Sequence, residues 1–179
     1  MTTIATPIYG KIRAMITSGN RLLIATEHPE GEVSPIFSLN IQEALDEEKG
    51  LESVISIAST GDVLDFVQHG EQTLAVTSSG LYSIGSESLS EYAVSSVPLQ
   101  GACSLDSTTL LLVAKRSVYL FDGALSELFS FDADITAWAS QKGGKRFAIG
   151  LEDGTLVPCF RKGGDGPFVE GVFFDEEDE

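Results

Sequence analysis

Apolar residues in this chain fall in short runs separated by Gly, Ser, Asp and Asn. Runs of that length between turn-forming residues predict β-strands joined as antiparallel hairpins. One run recurs four times: Leu22 to Thr26, Thr73 to Thr77, Leu110 to Ala114 and Arg146 to Gly150. Aligning Leu23, Leu74, Leu111 and Phe147 gives steps of 51, 37 and 36 residues. Those steps lie in or near the window in which an internal period marks a repeat architecture.

Each repeat divides into further strands. In the second, Val63 to Gln68 precedes the shared run, Ser78-Ser79-Gly80 turns the chain into Leu81 to Ile84, and Tyr92 to Val94 supplies a fourth strand. The third follows as Gly101 to Leu105, Leu110 to Ala114, Ser117 to Phe121 and Leu128 to Phe131. In the fourth, Ile135 to Ala139 leads to Phe147 to Gly150, and Glu152-Asp153-Gly154 turns into Thr155 to Val157. Asp-Gly suits that turn because glycine tolerates positive backbone angles. The first repeat is enlarged. Its second turn is Glu27 to Glu32, and Pro35 to Leu39 is the third strand. Asn40 then caps a helical turn that ends at Gly50, and Val54 to Ile57 completes the unit.

The turn Gly150 to Val157 resembles the hairpin between second and third strands of WD40-type repeats. Val118 to Asp122 resembles their third strand, with Phe121-Asp122 where Trp-Asp usually falls. The resemblance covers about Ile12 to Phe160, but no Gly-His opens a repeat and no true Trp-Asp closes one. It implies an all-β fold of four WD40-like, four-stranded antiparallel blades, a partial or small β-propeller. A β-sandwich is the alternative. The blades would span about 9–60, 61–98, 99–132 and 133–160, with a Gly-rich linker and an aromatic and acidic tail over 161–179. Thr2 to Ala5 or Val169 to Phe174 would give the last blade its outer strand.

At 179 residues the chain can bury a core in one or at most two domains. Its 27 acidic and 11 basic residues give a net charge of −16. Such a surface repels phosphate backbones and argues against direct nucleic-acid binding. It suits a basic protein partner or simple solubility. Cys103 and Cys159 lie in apolar strands without ligand-spaced neighbours, which suggests reduced thiols in the cytoplasm or nucleus. No run approaches the length of a membrane helix, and no charged-then-apolar leader opens the chain.

Catalytic chemistry finds little support. His28 and His69 fall in predicted loops, and no base is placed beside a Ser, Thr or Cys nucleophile. Gly163-Gly164-Asp165-Gly166 lacks the Lys and helix of a phosphate loop. An enzyme would need carboxylates such as Asp62, Asp65, Asp106 and Asp134 to converge. No cofactor or metal is expected. Partner-binding candidates are Phe168, Val172, Phe173 and Phe174, followed by Asp175, Glu176, Glu177, Asp178 and Glu179. Aromatic groups would fill a pocket while the acids meet basic residues around it. Lys115 and Arg116, and the segment Lys142 to Arg146, are the basic clusters.

Propellers of this type usually need six to eight blades, so four would leave apolar flanks on the first and last. The expectation is a non-enzymatic scaffold subunit, completed by another propeller chain or a second copy. The alternative is an acidic escort for a basic protein such as a histone or ribosomal protein.

Overall fold

In the computed structural model the described residues are 10–28, 30–44, 54–141, 143, 145–161 and 167–170. They form four sheets, each a meander of four consecutive antiparallel strands. The first holds β1 (Lys11–Ser18), β2 (Arg21–Glu27), β3 (Ile36–Asn40) and β4 (Val54–Ile57). The second holds β5 (Val63–His69), β6 (Gln72–Thr77), β7 (Gly80–Ile84) and β8 (Leu89–Val94). The third holds β9 (Leu99–Ser104), β10 (Leu110–Ala114), β11 (Ser117–Phe121) and β12 (Leu125–Ser130). The fourth holds β13 (Ile135–Ser140), β14 (Arg146–Leu151), β15 (Leu156–Arg161) and β16 (Phe168–Glu170). A sandwich passes strands between its sheets through Greek-key links. Here no strand leaves its own meander, so the architecture is four blades.

The chain divides into two units, Met1–Gly101 and Ala102–Glu179. In the first, Leu23, Ala25, Ile36 and Ile57 pack with Val63, Phe66, Ala75 and Leu89, joining the first and second sheets. In the second, Leu111, Val113 and Val118 pack with Ile135, Phe147, Ile149, Cys159 and Phe168, joining the third and fourth. Each fully buried aliphatic side chain contributes about 1.5–3 kcal/mol.

The repeat is visible in backbone detail. One extra residue, Arg13, Leu64 or Thr136, bulges near the start of the first strand in sheets one, two and four. Tyr92 and Leu128 are the matching bulges in β8 and β12. Bulges add local twist and spoil an edge for stray pairing. A second device recurs after the second and third sheets. Ser95 and Leu99 donate their amides to the carbonyls of Ser79 and Ser78, both at 2.9 Å. Phe131 and Ile135 do the same to Arg116 and Lys115, at 2.8 and 2.7 Å.

These registers correct the sequence alignment at one place. Val76 pairs Leu81, Val113 pairs Val118 and Gly150 pairs Leu156, so the counterpart of Leu74 and Leu111 is Ala148, not Phe147. A slip of one residue exchanges the two faces of a strand. Phe147 accordingly packs in the core of its own unit, on the opposite face of β14 from Ala148.

Asn40 caps α1 (Ile41–Ala44) as expected, its Oδ1 accepting the amides of Gln42 at 3.1 Å and Glu43 at 3.3 Å. The residues assigned to the end of that turn, including Gly50, lie outside the described set. At the C-terminal end, Phe168–Glu170 is the outer strand of the fourth sheet, pairing with Cys159 to Arg161.

Candidate functional site

The basic turn of the third sheet is tied down within its own unit. Arg116 Nε lies 2.6 Å from Asp134 Oδ1, and Lys115 Nζ lies 3.0 Å from Asp134 Oδ2. The hydrogen bond from Arg116 is the main cause holding the Asp134 carboxyl below its ordinary range. Lys115 and Arg116 stay largely exposed, so the pair still offers one face to solvent.

The four candidate carboxylates have separate structural jobs. Asp62 pairs with Arg13 at 3.7 Å. Asp65 adjoins the β5 bulge and accepts the Phe66 amide at 2.8 Å, and burial pushes its carboxyl up. Asp106 accepts the Thr108 amide at 2.8 Å in the β9–β10 turn. Asp134 sits at the other end of β10, against the β10–β11 turn. Asp106 and Asp134 therefore cannot meet at one end of the third sheet, which removes convergence of these acids as a catalytic site. Among the described residues no three of His, Cys, Asp and Glu are grouped to hold a metal ion. Cys159 is buried and its thiol is pushed up to about 12, chiefly by desolvation. His69 Nδ1 is 3.1 Å from the Tyr92 hydroxyl.

A cleft of about 200 Å3 in the first unit is lined by Ser18, Arg21, Glu71, Gln72 and Thr73 over Leu23 and Ile84. Thr73 Oγ1 lies 2.8 Å from Ser18 Oγ and 2.9 Å from Gln68 Oε1, so its polar floor satisfies itself.

The informative asymmetry is in apolar positions. Ile36, Leu81, Val118 and Leu156 occupy the same place in the four third strands. The first three are 0% exposed, whereas Leu156 is 58% exposed. Around it lie Ala148, Gly150 and Pro158, where the second and third sheets have the buried Leu74 and Val76, and Leu111 and Val113. Ile12, Val63, Leu99 and Ile135 are likewise equivalent, each first or second in a first strand. The last three are 3% exposed, but Ile12 is 50% exposed. Met15, counterpart of the buried Phe66, is 57% exposed. The expected bare flanks are thus confined: on the first sheet Ile24, Phe37 and Leu39 of the same face are buried, and the exposed large apolar side chains of that face among the described residues are those of β1, Ile12 and Met15.

The C-terminal docking peptide needs one correction. Phe168 is buried in the core of its unit, its ring 5.0 Å from Phe147 and capped at 4.5 Å by the Arg161 guanidinium. It is a core residue of β16. Val172, Phe173, Phe174, Asp175, Glu176, Glu177, Asp178 and Glu179 lie outside the described residues, as do Thr2 to Ala5 and the linker 163–166. Sequence reasoning passed over Ile12, Met15 and Leu156, because an apolar residue at a core-patterned position reads as buried until its neighbour is known to be missing. Among the described residues no helix is long and apolar enough to cross a membrane.

No family model and no curated protein matches the chain. Solved structures do. The computationally designed Ika4 protein superposes with a TM-score of 0.65 at 12% identity, over 89% of this chain and 98% of that one. The WD40 repeats of RRP9 give 0.61 at 14% identity, over 89% and 50%. The N-terminal domain of Nup159 gives 0.59 at 18% identity, over 91% and 43%. At such identities the likeness shows the fold, a β-propeller-like arrangement of blades. The chain spans about half the length of these two natural propeller chains.

Proposed function

We propose that this chain is a non-enzymatic protein-interaction module of the WD40-like propeller class, whose outermost blades are completed by another polypeptide. The observation that carries the reading is Leu156. Its three counterparts are fully buried, while it stands open on a face of small apolar residues. Exposed apolar positions at which a repeat would otherwise place a neighbour mark an interaction surface. The half-length match to propeller chains supports the same reading, as does the capture of Nup159 in a complex with Dbp5 and Gle1 from S. cerevisiae. The chain's role is passive: it holds a complex together and presents loops that select partners.

Affinity capture with the intact chain tests this, comparing wild type with Leu156→Asp as bait. The reading requires a protein recovered in equal amount with wild type and lost with the variant. Equal recovery from both baits would contradict it.

The charge of −16 favours a second reading, an acidic escort for a basic protein in the cytoplasm or nucleus. In that case binding falls steeply with salt and on deleting Asp175 to Glu179. Affinity unchanged by both treatments would remove it.

A further inference from the structure

Ile12 and Leu156 are exposed at the two positions that meet inside each blade joint. In the first unit the joint brings Ile36 to Val63, both in one core. In the second it brings Val118 to Ile135. Leu156 repeats Val118 and Ile12 repeats Ile135, so the two exposed positions are the ones that meet in a joint of this design; on the first sheet the opening is the β1 margin, Ile12 and Met15, because Ile24, Phe37 and Leu39 of that face are already buried.

The charges flanking those halves are complementary. In the joint between third and fourth sheets, the turn carries Lys115 and Arg116, and the residue preceding Ile135 is Asp134, which pairs with both. In the fourth sheet the corresponding turn carries Glu152 and Asp153, and the residue preceding Ile12 is Lys11. The polarity is reversed, yet still opposite across the joint. Lys11 is exposed and has no ion pair among the described residues. The backbone matches too. Lys115 O accepts the amide of Ile135, and no described backbone amide donates to its counterpart, Glu152 O.

We infer that the polypeptide completing this chain is a second copy of itself, docked head to tail. Ile12 and Met15 of one copy cover Leu156, Ala148 and Gly150 of the other, and Lys11 meets Glu152 and Asp153. This rests on the proposed function and names its partner. Two such joints between the same two copies would use both exposed sites and end the head-to-tail growth that otherwise yields filaments.

Charge reversal with mixing tests it, by sedimentation velocity on the purified full chain. The wild type is expected at twice its 19.1 kDa. Lys11→Glu alone places like charges at both joints, and so does Glu152→Lys with Asp153→Lys; each should weaken dimerisation at least tenfold. Mixed in equal amounts, the two variants restore opposite charges at both joints and should recover the dimer. These are surface substitutions, and circular dichroism verifies folding of each. A wild-type monomer at all concentrations, variants that dimerise like wild type, or a mixture no tighter than its components would each overturn the inference. The Leu156→Asp capture comparison stays informative in every one of those cases, because a different partner on the same face would still be lost with the variant.

Discussion

Arg116 and Asp134 join the β10–β11 turn of the third sheet to the lead-in of the fourth, with 2.6 Å between Nε and Oδ1. The pair stands beside the backbone bond from Ile135 to Lys115, so side chain and main chain fasten one blade joint together. Being largely exposed on the Arg116 side, the pair contributes only modestly. Asp134 has its carboxyl held down, so its contribution is present above the ordinary aspartate pKa and is lost as pH falls through the lower folded value. Asp134→Asn should lower the urea midpoint slightly at neutral pH. The difference from wild type should shrink in high salt and vanish in acid.

Asp65 has the opposite sign. Burial raises its carboxyl, so folding favours the protonated form and the advantage fades as pH rises from the unfolded value through the folded one. Asp65→Asn keeps an acceptor for the Phe66 amide without the buried charge. It should raise the urea midpoint at neutral pH and leave it unchanged at pH below the unfolded aspartate range. A variant less stable than wild type at neutral pH would contradict this.

Phe168 separates a core strand from a free tail. Phe168→Ala removes a ring packed on Phe147 and under Arg161, and such truncations cost about 3–5 kcal/mol. Chemical denaturation should show a loss of that order. An unchanged midpoint would return Phe168 to the tail.

Asn40→Ala removes the cap of α1, where one oxygen serves two amides and the Asn20 side chain at 2.9 Å. A lost cap of this kind costs about 0.5–2 kcal/mol. Faster amide exchange at Gln42 and Glu43 is the direct local readout.

Cys159, with its thiol near 12, should resist alkylation at pH 8 in the native chain and react once it is unfolded. Alkylation of native Cys159 at the rate of a free thiol would show that the fourth-sheet core is open.

Strand order and blade count were legible because turn residues punctuate apolar runs at a steady spacing, and Asn40 was legible as a cap because its oxygen acts within three residues. The Phe147 register was not: the repeat keeps its step of 37 residues from Leu74 to Leu111 to Ala148, but Ala148 is small, and the large apolar residue beside it, Phe147, reads as the matching position of the run. Run position alone does not reveal such a shift. The docking surface was hidden for a different reason. Leu156 has the same chemistry as its buried counterparts, and only the missing neighbour distinguishes it. Lys115 and Arg116 were found by their rarity in an acidic chain, but the bond from Arg116 to Asp134 spans eighteen residues and depends on tertiary placement.

Reactivity of a thiol at position 156 addresses the docking face most directly. A Leu156→Cys chain would be labelled with a maleimide in its native assembly and again after dilution to the single chain. The account requires labelling at least tenfold slower in the assembly, because that face is covered there. Equal rates in both states would mean that nothing docks on the fourth sheet.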